Sequence, residues 1–166
     1  MEFLRTTFTH EPPKFGVLEI GSRNINGSAR EALAADDAID RYWGVDLVAG
    51  PGVDQVVEGP DVDPPFSVDV VISCEVFEHT TDWPEIVENA FDVLHPGGRL
   101  VVTMATDGRA PHSAVDGGVV RDGEFYGNIE PGVLVTMAEA CGFTTAYCCS
   151  FPDRGDLYAI FRKPSE

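Results

Sequence analysis

Residues 68–104 read VDVVISCEVFEHTTDWPEIVENAFDVLHPGGRLVVTM, and the reading of this stretch decides the fold. It opens with Val68-Asp69-Val70-Val71-Ile72-Ser73, a nearly continuous β-branched run typical of a strand buried on both faces. Asp82 is placed to cap the helix that follows, with Pro84 in its first turn and Glu85 as capping partner. Ile86, Val87, Ala90, Phe91 and Leu94 then share one helical face. His95-Pro96-Gly97-Gly98 stops that helix, and Arg99 to Met104 is a second buried strand. A strand, a helix and a strand in this order predict a parallel pair with a helical crossover.

The same alternation extends outward on both sides. Upstream, residues 1–14 end in Glu11-Pro12-Pro13-Lys14 and read as a leader, leaving 15–166 as the folded domain. Phe15 to Gly21 is a short apolar strand. Ser28 to Ala35 is a helix with Ser28 as cap and Glu31 as its capping-box partner. Tyr42 to Asp46 and Val53 to Val57 are further strands. Downstream, residues 105–130 carry five glycines and no sustained period, which predicts a long mobile loop. Pro131 opens a helix through Ala140, and Gly142 ends it. Phe143 to Ser150 and Leu157 to Arg162 follow each other without a helix, so they must pair antiparallel. The expected fold class is α/β: a doubly wound, mostly parallel sheet with an antiparallel C-terminal strand pair. In such sheets ligands bind outside the carboxyl ends of the strands, near the point where strand order reverses.

Composition narrows the function classes. The 166 residues hold 11 Lys plus Arg against 28 Asp plus Glu, a formal charge of -17. That charge repels nucleic-acid backbones and anionic lipid surfaces, so neither nucleic acid nor membrane is expected as a partner. Disorder is opposed by 43% hydrophobic residues gathered into short runs. There is no apolar stretch of membrane-span length and no apolar signal core near the start. Cys74, Cys141, Cys148 and Cys149 form no CxxC pair, which fits a reduced, cytoplasmic protein better than a metal ribbon or a disulfide framework.

The strand ends carry the candidate chemistry. The first strand runs into Glu19-Ile20-Gly21-Ser22-Arg23-Asn24-Ile25-Asn26-Gly27-Ser28, a glycine loop that is not GxGxxG, so a nicotinamide dinucleotide is disfavoured. The second strand ends on Asp46, a carboxylate able to accept from both hydroxyls of a ribose. After the third come Glu58, Asp61 and Asp63 among prolines, read either as a rigid acidic turn or as the wall of an adenine pocket. The fourth leads into Cys74-Glu75-Val76-Phe77-Glu78-His79.

Taken together, VLEIGSRNINGS, YWGVDL, FSVDVVISCEVFEH and ENAFDVLHPGGRLVVTM resemble the Rossmann-like, class I S-adenosylmethionine-dependent methyltransferases over residues 15–162. The resemblance implies S-adenosyl-L-methionine as cofactor and methyl transfer to a small-molecule acceptor as the activity. It allots the cofactor to Glu19, Gly21, Ser22, Asn26, Gly27, Asp46, Leu47, Asp61, Val62, Cys74 and Glu75. Asp46 takes the ribose position, Asp61 with Val62 the adenine-facing one, and Glu19 the acidic position ahead of the first glycine. Two departures stand out: the glycine loop is longer and more polar than the family's tight pattern, and Pro51-Gly52-Val53-Asp54 replaces a connecting helix.

Catalysis is expected from His79 and His112 as bases toward an acceptor hydroxyl, the alternative for each being a loop histidine with a structural hydrogen bond. Arg109, Arg121 and Tyr126 are further candidate acceptor contacts in the 105–130 loop. Glu75, Glu78 and His79 also form an ExxEH cluster that looks like the metal-holding motif of small-RNA 2'-O-methyltransferases, with His112 as a possible further ligand. Metal-free small-molecule methyltransferases carry a similar stretch and the charge opposes RNA, so no metal is assigned. A non-catalytic S-adenosylmethionine-binding or partner-interaction domain is the other alternative.

Overall fold

The computed structural model describes residues 3–4, 14–25, 27–34 and 36–166. Seven strands form one sheet: β1 (Phe15–Ile20), β2 (Ile39–Asp46), β3 (Gln55–Val56), β4 (Val68–Cys74), β5 (Leu94–Ala105), β6 (Thr144–Phe151) and β7 (Asp156–Arg162). Among the described residues they are accompanied by α1 (Ala29–Leu33), α2 (Trp83–Val93) and α3 (Pro131–Ala140). The sheet order is β3-β2-β1-β4-β5-β7-β6. β1 to β5 pair parallel, while β7 lies antiparallel between β5 and β6. The expected doubly wound sheet with an antiparallel closing pair is therefore the observed one. The chain winds outward from β1 through β2 to β3, then returns to β4 on the other side of β1. Strand order reverses between β1 and β4, which opens a crevice at their carboxyl ends.

Alternation along the strands feeds two apolar layers. Leu18 and Ile20 of β1 join α2 residues Ile86, Val87 and Ala90 and α3 residues Leu134 and Ala138. Phe15 and Val17 turn the other way, toward Ala29 and Leu33 of α1. Leu4, which falls in the expected leader, is only 2% exposed and belongs to this second layer; the other leader residues up to Pro13, Phe3 apart, lie outside the described residues. No helix among the described residues is long and apolar enough to cross a membrane.

Several boundaries differ from expectation for identifiable reasons. Leu94 is the first residue of β5, paired with Val68, instead of the last on the α2 face. Gly97, at φ +87, lets the His95–Gly98 stretch stay in the strand while its N–H bonds to Lys163 O. β2 starts three residues earlier, at Ile39, and β3 shrinks to Gln55–Val56. Ser28 caps α1 as expected, its Oγ accepting from Glu31 N–H at 3.3 Å. Glu31 does not return the capping-box bond but accepts from Asn24 Nδ2 at 3.2 Å. Asp82 makes no side-chain cap on α2; its carboxylate accepts from Thr81 Oγ1. Glu130 caps α3 instead, accepting from the N–H groups of Gly132 and Val133.

The 105–130 segment lacks helix and strand after Ala105, yet it is tied at both ends and across its middle. Ile129 N–H bonds to Ala105 O at 3.0 Å and Gly127 N–H to Glu78 O at 2.8 Å. Ser113 N–H bonds to Gly118 O, Gly117 N–H to Ser113 O, and Ser113 Oγ to Glu124. Gly117 (φ +72) and Gly123 (φ +89) supply left-handed turn positions, so glycines read as slack are turn formers.

Candidate active site

A cleft of about 1050 Å³ opens at the carboxyl ends of β1, β2, β4 and β5. One half is built from the ends of β1 and β2. Glu19 is 4% exposed, accepts from the Tyr42 hydroxyl at 2.7 Å and also from Ala29 N–H. Burial pushes its carboxyl up to about 7. At Gly21, φ is +80 and a Cβ would stand 2.2 Å from Val76 Cγ2, so only glycine fits. Gly21 and Ser22 N–H groups both donate to Val45 O, at 2.9 and 3.0 Å, which clamps the glycine loop onto β2. Ser22 faces the cleft with a buried Oγ that has no partner.

Asp46 ends β2 with both oxygens engaged. Oδ2 accepts from Arg23 N–H at 3.0 Å and Oδ1 from Val48 N–H at 3.1 Å. Each carboxylate oxygen still has a second lone pair, so the group is aimed without being used up. Leu47, 65% exposed, and Val48 stand beside it on the cleft wall. Gly27 also lines the cleft; its N–H donates to Asn24 Oδ1, which makes Asn24 a turn residue. Asn26 lies outside the described residues.

Asp61 and Val62 are not brought to this wall. Pro60 opens a 3-10 turn over Gly59–Asp61, which leaves Asp61 exposed and sends Val62 into the core, where its carbonyl accepts from Asn89 Nδ2 at 3.1 Å. The stretch that faces the cleft is Val57-Glu58-Gly59-Pro60.

The other half is built from the ends of β4 and β5 and the loop after β5. Cys74 and Glu75 line it. Burial pushes the Cys74 thiol up to about 12, so it is not a ready nucleophile. Glu75 holds a left-handed backbone, φ +56, fixed by its N–H to Thr103 O at 2.7 Å. A non-glycine residue held there stores roughly 1–3 kcal/mol, which its surroundings must offset. Its side chain accepts from Thr103 Oγ1 at 2.9 Å and lies 3.8 Å from the Arg109 guanidinium, itself paired with Asp156.

Beyond Glu75, a 3-10 turn over Phe77–His79 drives Glu78 fully inside, at 0% exposure. Glu78 Oε1 accepts from Ala105 N–H at 3.2 Å, Oε2 has no partner, and burial raises the carboxyl to about 8. His79 and His112 both reach the cleft, with ring centroids 4.9 Å apart. Burial, then the neighbouring His112, lowers His79 to about 4. Tyr126 packs its ring on both histidines, at 5.5 and 5.0 Å. Arg121 pairs with Asp116 and is not among the cleft residues. Thr103, Arg23, Phe3, Leu4 and Tyr158 line the cleft without having been singled out. Thr103 alone carried a usable signal, as a polar residue near the end of a buried strand.

The whole chain is similar in fold to solved methyltransferase structures. One is the 1,6-didemethyltoxoflavin-N1-methyltransferase of Burkholderia thailandensis, solved with 1,6-didemethyltoxoflavin and S-adenosylhomocysteine. At 16% identity it matches 97% of this chain and 76% of its own, with a TM-score of 0.72. An S-adenosylmethionine-dependent methyltransferase of Mesorhizobium loti, also 16% identical, matches over 98% and 96% with a TM-score of 0.72. Residues 46–100, from the Asp46 carboxylate into β5, match the family model described as a methyltransferase domain. The chain shares the fold of these methyltransferases. A third structure similar to this chain is the phosphoethanolamine N-methyltransferase 2 of Haemonchus contortus with S-adenosylmethionine, 15% identical, covering 98% of this chain and 52% of that one, with a TM-score of 0.72. No curated protein matches this chain.

The residues present fit S-adenosylmethionine, the cofactor the resemblance implies. A glycine floor that a single Cβ would fill, a ribose-type carboxylate with free lone pairs, and apolar Leu47, Val48 and Val57 on the wall are what an adenosyl group requires.

Proposed function

We propose that this chain is an S-adenosylmethionine-dependent methyltransferase acting on a small-molecule acceptor, with the cofactor held along the β1–β2 half of the cleft and the acceptor along the β4–β5 half. The observation that carries the reading is the division of one cleft into these two halves. In the first, Asp46 holds the ribose, Glu19 the amino end, Gly21 and Ser22 pass beneath the methionine chain, and Leu47 with Val57 to Pro60 flanks the adenine. In the second, Cys74 and Glu75 border the transfer point and His79 and His112 face the acceptor's nucleophilic atom. When bound, S-adenosylmethionine supplies an electrophilic methyl group on a sulfonium centre.

The chain's own task is to hold two reactants in line and keep water out, which supplies much of the rate in such displacements. Carboxylates that favour the cation equally before and during transfer raise affinity more than turnover. His79 and His112 take charge of the acceptor's proton. Glu19, Asp46, Glu58, Glu75 and Asp82 outnumber Arg23 and Arg109 on the cleft wall, which supports a neutral or cationic small molecule over a phosphate-bearing polymer. Four unpaired cysteines are in keeping with a reducing, cytoplasmic setting.

Calorimetric titration of the full chain with S-adenosylhomocysteine is expected to show one site, and NAD none. Methyl-labelled S-adenosylmethionine is then offered with a fractionated metabolite pool and, separately, with RNA. Label is expected in the small-molecule fraction. Absence of heat with S-adenosylhomocysteine overturns the cleft assignment; label in RNA overturns the acceptor class.

A further inference from the structure

Glu19 carries a carboxyl group into a nearly closed place. It is 4% exposed at the end of β1, and its Oε2 accepts from the Tyr42 hydroxyl at 2.7 Å. Burial, then the neighbouring Glu19 charge, holds the Tyr42 hydroxyl above its usual range, so Tyr42 stays protonated and is the donor in this bond. Glu19 lines the cleft, whereas Tyr42 is not among the cleft residues. One residue faces the ligand and the other stands behind it.

Tyr42 is itself held. The Arg30 guanidinium of α1 lies 4.7 Å from the centre of its ring. Arg30 is fixed in turn by a forked ion pair with Asp54, in which both carboxylate oxygens take part. Asp54 grips Gly44 of β2 twice: its N–H donates to Gly44 O at 2.7 Å, and its Oδ2 accepts from Gly44 N–H at 2.8 Å. Asp54 also closes Pro51-Gly52-Val53-Asp54, the stretch that stands where a connecting helix was expected. Asp54, Arg30, Tyr42 and Glu19 form one line of contacts from that turn, through α1 and β2, to the end of β1.

We propose that Tyr42, backed by Arg30 and Asp54, is a positioning residue that holds the Glu19 carboxylate toward the ammonium group of the bound cofactor. The inference rests on the cofactor reading above and adds what keeps its acidic contact ready. A carboxylate offers about four lone-pair sites, of which Tyr42 and Ala29 N–H take two and leave the rest for a cationic donor. Burial favours the neutral acid, which does not attract a cation, and pushes the Glu19 carboxyl up to about 7. The Tyr42 hydrogen bond, the Arg30 charge and the Ala29 N–H pull the other way, while the Asp46 charge adds to the rise. From β4 the Cys74 thiol faces the same carboxylate. Affinity for an ammonium ligand is therefore present above the Glu19 transition and lost as pH falls through it. Without the Tyr42 hydroxyl that loss sets in at higher pH.

The test titrates the full chain calorimetrically, between about pH 6 and 8, with S-adenosylhomocysteine and with methylthioadenosine, which lacks the amino-acid end. Tyr42→Phe is expected to weaken S-adenosylhomocysteine by about tenfold near pH 7 and to move its pH profile upward. Methylthioadenosine is expected to lose less than about twofold and to show a flat profile. In a Glu19→Gln background, Tyr42→Phe is expected to add less than about twofold, because its effect passes through the carboxylate. Arg30→Gln, on the half-buried surface of a helix, is expected to give a smaller loss of the same kind, about threefold, and it carries the test if Tyr42→Phe does not fold. Superimposable profiles in the parent and in whichever variants fold overturn the proposal. Equal weakening of both ligands, or a full tenfold loss persisting in Glu19→Gln, overturns it as well, since either marks a merely structural role. If the parent chain binds S-adenosylhomocysteine and the variants match it, only the Tyr42 assignment falls. If the parent chain does not bind it, the cofactor reading falls and this inference with it.

Discussion

The two halves of the cleft are built on opposite plans. In the β1–β2 half, the Glu19 and Asp46 carboxylates are aimed by partners, and backbone N–H groups do most of the aiming. In the β4–β5 half, side chains dominate, one residue sits in a left-handed conformation, and Glu78 Oε2 and His79 Nδ1 lack partners. Backbone-built recognition depends on where strands and glycines fall, so it suits a cofactor that stays the same. Side-chain-built recognition is altered by single substitutions, and it falls on the side given to the acceptor.

The sharpest break of this comparison is in the first half. A Cβ at Gly44 would stand 2.3 Å from Gly52 O and 2.7 Å from Ser22 Oγ, pressing β2 against backbone that cannot move aside cheaply. Gly44→Ala is expected to cost about 3 kcal/mol in urea unfolding. A loss under about 1 kcal/mol would show that the 50–54 turn yields and that this half is less rigid than drawn.

Next comes Glu19→Gln. The folded carboxyl titrates near 7 against an ordinary 4.5, so the folded state holds its proton more tightly than the unfolded chain does. Stability from this group is therefore full below about pH 4.5 and is lost as pH rises toward about 7, a change on the order of 3 kcal/mol. Glutamine keeps an acceptor for the Tyr42 hydroxyl without the charge. The variant is expected to be more stable than the parent at pH 8 and to show a flatter stability profile between pH 5 and 8. Parallel profiles would refute the burial account of Glu19.

Asp46→Ala probes the ligand side of the same half. Losing a charged acceptor for two ribose hydroxyls is expected to weaken S-adenosylhomocysteine binding by about 1.5–3 kcal/mol, or roughly tenfold to a hundredfold. An unchanged Kd in a folded variant rules out the ribose assignment. Gly117→Ala in the acceptor-side loop is the mildest case. Nothing lies within 4 Å of a Cβ there, so only φ +72 is penalised, and the expected cost is about 1 kcal/mol by thermal unfolding. A cost equal to that of Gly44→Ala would erase the contrast between the halves.

Legibility in the sequence followed the same division. The β4–α2–β5 unit was plain because a doubly buried strand reads as an unbroken apolar run and α2 has a clear apolar face. Asp46 was plain as a carboxylate closing a strand at the carboxyl edge of the sheet. Asp61 and Val62 were misplaced because a turn opened by Pro60 rotates one residue outward and the next inward, and no periodicity records a rotation of that size. Leu4 shows no helical or strand period: the short Phe3-Leu4 pair gains its place only from the tertiary surface that receives it. The Glu130 cap was overlooked because Pro131 already explained the start of α3, and Glu is not a customary cap. The spatial meeting of His79 and His112 depended on how the loop after β5 folds back, which glycine count alone describes wrongly.

β7 lies between β5 and β6 although it follows both in the chain, and this has a consequence for the order of assembly. As the polypeptide leaves the ribosome, β6 emerges with no neighbour to pair with, and β5 keeps an open edge beside it. Only when Asp156 to Arg162 appears can a hairpin close on β6 and dock onto β5 as a unit. Lys163 then reaches back to the carbonyls of Phe91 and Leu94, at 2.6 and 2.8 Å, which until then have no such donor. The first five strands can be made in sequence, but the sheet is completed from the tail inward. A nascent chain of this topology carries an unpaired strand edge until Asp156 to Arg162 is free, and that interval is its period of greatest exposure to aggregation.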